Sequence, residues 1–273
     1  MIDKNKNIII TGGSDGIGLA AVEQLLEYDN NIFIVGKNAE KGNKIINKFK
    51  NSKIEFIQCD LSEDEQVKDL IKKFNKLNKV DTLINNAGAY FIKREVNSKN
   101  IEKTFALNHL SYFRLSLGLL EKLEQSKEGR IINVASNAHK RFELALEDLE
   151  NKLNYNGWKS YCRSKLLNVL FTYSFNKEIK TNVTCNCLHP GFVNSNFGNN
   201  NSFYFKFLIN FIRNFISIST KKGSETIIYL AESDNIKNIS GKYFYKKKEI
   251  KSSPHSYNED IAKNVWKKTL SYL

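Results

Sequence analysis

Ile8-Ile9-Ile10-Thr11-Gly12-Gly13-Ser14-Asp15-Gly16-Ile17-Gly18 decides the fold. Three consecutive β-branched residues run into a glycine cluster, and Leu19 to Tyr28 beyond it carries apolar residues at helical spacing. A short, wholly apolar run bounded by turn residues reads as a strand covered on both faces. Strand, glycine turn and helix therefore follow in order. Gly12, Gly16 and Gly18 let the backbone turn tightly and approach an anion, and the free N–H groups of a helix N-terminus attract its charge. A glycine cluster alone is a weak signal; in this context it points to a pyrophosphate.

Working outward, the alternation repeats. Ile32 to Val35 reads as strand, Ala39 to Lys50 as helix, Ile54 to Cys59 as strand, Glu63 to Asn75 as helix and Val80 to Asn85 as strand. This βαβαβαβ order predicts a parallel sheet. Further helices are expected at about Ile101 to Leu123, Gly157 to Ile179, 222–232 and 258–271, with strands at Arg130 to Ala135, Asn182 to Leu188 and Lys242 to Tyr245. The expected fold class is α/β: a Rossmann-type, doubly wound parallel sheet of about seven strands with helices on both faces. Ligands then belong at the carboxyl ends of the strands.

With 273 residues, 41% hydrophobic content, two prolines and no linker-like stretch, residues 1–273 are expected to form a single domain. The net charge of +13 comes mostly from lysines scattered with asparagine and isoleucine, the pattern of an A/T-biased genome. No basic arm interleaved with aromatics stands out, so no nucleic-acid partner is expected. Cys59, Cys162, Cys185 and Cys187 form neither a disulfide framework nor a zinc pattern, so no metal is expected and a reducing compartment is. Met1 to Lys4 lead directly into the first strand, without a signal-peptide core, and no segment reaches the ~20 apolar residues of a membrane span. A cytoplasmic location is the expectation.

Two features carry chemistry. Tyr161 and Lys165 are four residues apart in a helical run, and so share a face. A cation close to a phenol favours the phenolate, which makes the pair a candidate proton-transfer centre. The second feature is the end of the second strand, Val35-Gly36-Lys37-Asn38. An acidic residue there would take an adenosine 2′-hydroxyl; a lysine favours a 2′-phosphate, and hence NADP(H) over NAD(H).

These residues resemble the short-chain dehydrogenase/reductase family. The resemblance is carried by Thr11-Gly12-x-x-x-Gly16-Ile17-Gly18, Asp60-Leu61, Asn85-Asn86-Ala87-Gly88, Asn108, Ser136, Tyr161-x-x-x-Lys165 and Pro190-Gly191, and covers nearly the whole chain. It is nearest the retinol dehydrogenase-like branch, through Arg130-Ile-Ile-Asn-Val-Ala-Ser136-Asn-Ala-His139, Tyr161-Cys-Arg-Ser-Lys165-Leu-Leu-Asn-Val-Leu-Phe-Thr172 and His189-Pro-Gly-Phe-Val193. The resemblance implies hydride transfer between a nicotinamide and a carbonyl or alcohol. It implies that Tyr161 exchanges a proton with the substrate oxygen, Ser136 hydrogen-bonds that oxygen, Lys165 lowers the Tyr161 pKa and holds the ribose, and Asn108 supports a water relay to Lys165. It places the cofactor on Gly12, Ser14, Gly16, Ile17, Gly18, Lys37, Asp60, Leu61, Asn86, Gly88, Pro190, Gly191, Val193 and Ser195, the last replacing the family's usual threonine. Lys37 stands where NADP-using relatives often carry arginine, which keeps the charge and loses the bidentate fork.

Each polar residue also has a structural reading: Ser136 as a strand-end bond, Asn108 as a helix-interior polar group, Asp60 as a cap. Their joint occurrence favours the site. His109, His139 and His189 receive no catalytic role. Phe203 to Ile216 is apolar nearly all round a helix and falls within about 196–220, where the resemblance implies a substrate-covering segment. It suits a lipophilic carbonyl or alcohol substrate; a core or dimer helix and, through Lys206 and Arg213, peripheral contact with a membrane stay open. A homodimer is likewise open. The rival of another class is a catalytically silent NAD(P)-binding regulatory or scaffold protein, against which the intact Ser136, Tyr161 and Lys165 argue.

Overall fold

A computed structural model describes residues 5–192 and 219–273. Val193, Ser195, the 203–216 stretch and nearly all of the expected 196–220 segment lie outside the described residues.

The first half alternates as its apolar pattern dictates: β1 (Asn7–Thr11), α1 (Gly16–Leu25), β2 (Asn31–Gly36), α2 (Ala39–Lys48), β3 (Ile54–Gln58), α3 (Asp64–Phe74) and β4 (Thr82–Asn85). Helical turns α4 (Lys103–Phe105), α5 (Ser111–Gly118) and α6 (Leu120–Glu124) follow, then β5 (Arg130–Val134), α7 (Gly157–Glu178) and β6 (Thr184–Leu188). The chain closes with α8 (Thr220–Glu232), β7 (Tyr243–Tyr245), β8 (Lys248–Glu249) and α9 (Glu259–Leu270).

The strands form one sheet in the order β3-β2-β1-β4-β5-β6-β7-β8, parallel except for the β7–β8 pair. Alternate residues of each strand feed opposite cores, as a period of two requires. Ile8 and Ile10 pack with Val22 and Leu25 of α1 and Ile227 and Leu230 of α8, whereas Ile9 packs on the other face with Leu70 of α3, Leu115 of α5 and Phe171 of α7. Each such side chain removed from water contributes roughly 1.5–3 kcal/mol. Cys185 and Cys187 are fully buried against the α7 side, as small apolar residues.

Two elements differ from the sequence expectation. The sheet has eight strands rather than about seven, because Lys246 and Lys247, with φ of 48° and 63°, reverse the chain into β8. A two-residue turn with both φ positive normally announces itself through glycine or asparagine; two lysines hide it. The helix expected over 101–123 is interrupted by a π-turn at Ala106–Leu110 and again at Leu119, where α5 gives way to α6.

The order of the sheet reverses between β1 and β4, since β2 and β3 lie to one side of β1 and β4 onward to the other. At such a point the loops diverge and leave a crevice at the carboxyl ends of the strands. Among the described residues, no helix is long and apolar enough to cross a membrane.

Candidate active site

Every expected site residue within the described part lies on a loop or helix that follows a strand's carboxyl end, or close after it. The glycine turn leaves β1 with Gly12 at φ +65° and Gly16 at φ +55°. Gly18 is set by space: a Cβ there would lie 2.2 Å from the Gly12 carbonyl oxygen and 2.6 Å from Asn86 Nδ2. Asp15 caps α1, its carboxylate accepting the Gly16 N–H at 2.7 Å and pairing with Lys41. Thr11 Oγ1 accepts the N–H groups of Asn86 and Ala87 at 2.9 and 3.0 Å, and Asn86 Nδ2 donates to the carbonyls of Thr11 and Gly12 at 2.9 and 3.2 Å. The loop after β4 is thereby stitched to the loop after β1. Asn86 spends its amide on that stitch; the free edge of the turn is backbone.

At the end of β2, Lys37 is mostly exposed and pairs with Asp60 Oδ2 at 2.6 Å. That hydrogen bond raises the Lys37 pKa. The other Asp60 oxygen accepts the backbone N–H and hydroxyl of Ser62 at 3.0 and 2.7 Å, a turn that leads into α3, with Leu61 buried beneath. Desolvation opposes ionisation of Asp60, yet the bonds from Lys37 and Ser62 hold its carboxyl below the usual range. Ser14 faces Gly36, whose added Cβ would stand 3.1 Å from Ser14 Oγ. Lys37, Ser14 and Asp60 thus form one polar corner.

The second cluster sits beyond β4 and β5. Lys165, on α7, is buried and donates from Nζ to the Val134 carbonyl at the end of β5, at 2.9 Å. The same nitrogen lies 5.6 Å from the Tyr112 ring centre and 5.8 Å from that of Tyr161. Tyr161, one turn earlier on α7, is buried and hydrogen-bonded to Ser136, which caps the turn Asn137–Lys140 and accepts the Ala138 N–H at 3.2 Å. Asn108 lies in the π-turn, fully buried; its amide receives Ala89 N–H at 2.9 Å and donates to Ala89 O at 2.9 Å and Ser164 Oγ at 3.0 Å. Its own carbonyl accepts from Asn168 Nδ2 at 2.8 Å. A π-turn offsets the ladder by one residue, a distortion frequent at functional sites, and here it turns Asn108 toward the loop after β4. A Cβ on Gly88 would be 3.3 Å from both Asn108 Oδ1 and Lys165 Nζ, so glycine keeps these two groups within reach of each other.

Burial pushes Tyr161 up to about 12, with the Ser136 hydrogen bond opposing, and the same burial brings Lys165 down to about 7. Desolvation of both groups outweighs their attraction, because each loses water and the ammonium bonds to a carbonyl rather than to the phenol. Burial thus favours the protonated phenol of Tyr161.

Three aromatic side chains were not read from the sequence. Tyr112 donates its hydroxyl to Ala87 O at 2.8 Å and lies against Lys165. Trp158 stacks on Tyr161 at 5.8 Å and Tyr90 meets the same ring edge-on at 6.4 Å, making an apolar wall beside the phenol. Tyr112 lies four residues after Asn108 and Trp158 three before Tyr161, so the helical spacing that paired Tyr161 with Lys165 also pointed to both. Gly191, at φ +89°, follows Pro190 after β6, and its N–H donates to His189 Nδ1 at 3.2 Å.

A family model described as short chain dehydrogenase matches residues 6–202. The chain is a short chain dehydrogenase. Human polyprenol dehydrogenase is 32% identical over 275 residues, covering 96% of this chain and 83% of that protein. Bovine retinol dehydrogenase 12 is 32% identical over 267 residues, covering 96% and 84%. The protein therefore belongs to the retinol dehydrogenase-like branch and is an NAD(P)-dependent oxidoreductase of CH–OH and carbonyl groups. In fold it matches a short chain dehydrogenase from Burkholderia cenocepacia J2315 in complex with NADP, with a TM-score of 0.70 and 18% identity over 88% of this chain and 96% of that one. The residues present fit a dinucleotide: the turn after β1 has no room for side chains at Gly12 and Gly18, and its backbone opens at the N-terminus of α1.

Proposed function

We propose that this short chain dehydrogenase is an NADP(H)-preferring enzyme that reduces the carbonyl, or oxidises the alcohol, of a lipophilic small molecule. The observation that carries the reading is the Ser136–Tyr161–Lys165 cluster, with Tyr161 and Lys165 buried, at the same end of the sheet as the glycine turn and Lys37. When bound, the nicotinamide cofactor supplies or takes up the hydride. Tyr161 gives its phenolic proton to the substrate oxygen, and Ser136 donates a second hydrogen bond to it. Lys165 holds the ribose and, when protonated, favours the phenolate that remains. Asn108 fixes the loop after β4 and keeps a carbonyl near Lys165 for a water relay. At the other end of the crevice Lys37 and the Ser14 hydroxyl take the 2′-phosphate, which must draw Lys37 away from Asp60.

The lipophilic preference is supported by the Tyr90 and Trp158 wall beside Tyr161 and by relatives named for polyprenol and retinol. Titration of the purified protein with NADPH and NADH, then a panel of isoprenoid, fatty and aromatic aldehydes followed at the nicotinamide absorbance, tests the reading. Tighter NADPH binding with oxidation on a long apolar aldehyde is expected. Turnover confined to small polar carbonyls, or tighter binding of NADH, would overturn it.

A further inference from the structure

His139 lies three residues after Ser136 and is 1% exposed. Its Nδ1 is 2.7 Å from the Ser136 carbonyl oxygen, which can only accept; its Nε2 is 3.0 Å from the Ser253 backbone N–H, which can only donate. The Tyr243 hydroxyl also lies 3.4 Å from Nδ1 and, as an acceptor, fits the same assignment: the Ser136 carbonyl and the Ser253 N–H put the proton on Nδ1, leave Nε2 bare and the ring neutral. Burial pushes the imidazole down to about 4, consistent with that state.

His189, after the neighbouring strand β6, has the opposite arrangement. The Gly191 N–H donates to its Nδ1 at 3.2 Å, which puts its proton on Nε2. Between the two histidines stands Tyr243 of β7, edge-on to His139 at 5.0 Å and stacked on His189 at 5.8 Å, while Tyr245 stacks on His189 at 4.1 Å. The loop that carries Ser136 and the turn at Pro190–Gly191 therefore lean on the same aromatic column. A neutral imidazole suits the His139 place because it offers a donor and an acceptor on opposite edges of a rigid plane, so a single side chain ties the Ser136 peptide to the 250–257 segment. Loss of the ring nitrogens would leave the buried Ser253 N–H without that acceptor and the Ser136 carbonyl with only the His139 N–H, at 3.1 Å.

We propose that His139 is a positioning residue for this enzyme: held as the Nδ1–H tautomer between Ser136 and Ser253, it fixes the Ser136 backbone and so aims the Ser136 hydroxyl at Tyr161. The inference rests on the proposed roles of Ser136 and Tyr161, and its test has an arm independent of them.

In the 15N spectrum of histidine-labelled protein, His139 should show a protonated Nδ1 and a bare Nε2, and His189 the reverse. A proton on Nε2 of His139 overturns the lock whatever the substrate. In kinetics with NADPH and a long-chain isoprenoid aldehyde, His139→Phe should lower kcat by roughly tenfold or more, with the NADPH Kd changed by less than about twofold. His139→Asn, which can still donate from near the Nδ1 position, should recover much of that loss. Acting through Ser136, the substitution should cost nothing further in a Ser136→Ala background. Full additivity of the two substitutions, or a folded His139→Phe enzyme with wild-type kcat, would refute the assignment. Should the Phe variant not fold, His139→Leu carries the same comparison with Ser136→Ala. Absence of aldehyde turnover in the wild-type protein would count against the carbonyl reading and leave the tautomer result standing.

Discussion

Replacing Lys165 by methionine should make the protein inactive and, near neutral pH, more stable. Lys165 is 3% exposed, its pKa is carried from 10.5 to about 7, and desolvation is the cause. At about 1.4 kcal/mol per tenfold change in proton affinity, that fall amounts to roughly 5 kcal/mol. The sign follows from proton counting. Between the two values the unfolded chain keeps the proton and the folded chain does not, so the penalty is full below about pH 7 and fades as the unfolded lysine deprotonates near pH 10. Methionine fills similar space without a charge, but leaves the Val134 carbonyl without the donor now at 2.9 Å, a loss of about 1–3 kcal/mol. The net expectation is a gain of roughly 3 kcal/mol at about pH 6, shrinking to nothing or a small loss by about pH 9. Urea denaturation of both proteins at the two pH values measures it. Equal stabilities at the lower pH, or a difference independent of pH, would refute the claim that the fold holds this lysine against its hydration.

The remaining predictions concern the chemistry. Tyr161→Phe removes the proton donor and leaves the cofactor contacts, so kcat should fall by about 10²–10⁴ while NADPH binding measured by fluorescence stays within about threefold; near-normal turnover would exclude Tyr161 as the acid. Lys37→Asp places an acid beside Asp60 in the polar corner with Ser14 and should move the ratio of NADPH to NADH affinity toward NADH by tenfold or more, on the order of one lost charge-assisted bond. An unchanged ratio would mean that another group, with Lys41 nearest in the sequence, reads the 2′-phosphate.

The candidate site was legible because each element's signal is local. Ile8 to Gly18 encodes a strand, a turn that only glycine can make and a helix start, all within eleven residues. Tyr161 and Lys165 share a helix face by spacing alone. The electrostatic outcome was not legible, since whether a cation lowers a phenol's pKa depends on how much water each has lost and where the ammonium points. Both facts belong to the packing of α7 against β5. Spacing alone left Asn108 a polar residue inside a helix and only the resemblance gave it a role, because the π-turn that holds it is accompanied by tertiary bonds to Ala89 and Ser164. The β8 strand escaped notice for a simpler reason: two polar residues after a lysine turn carry no periodicity.

The sequence by itself determined the doubly wound sheet, the family, and the identity of the groups gathered at the strand ends, because apolar periodicity and glycine geometry act over a few residues. Only the tertiary structure decided the pairing of Lys37 with Asp60, the protonated Tyr161, the low affinity of Lys165 for its proton and the histidine that grips Ser136. Those properties arise from desolvation and from hydrogen bonds between segments as far apart as Ser136 and Ser253, which no local pattern specifies.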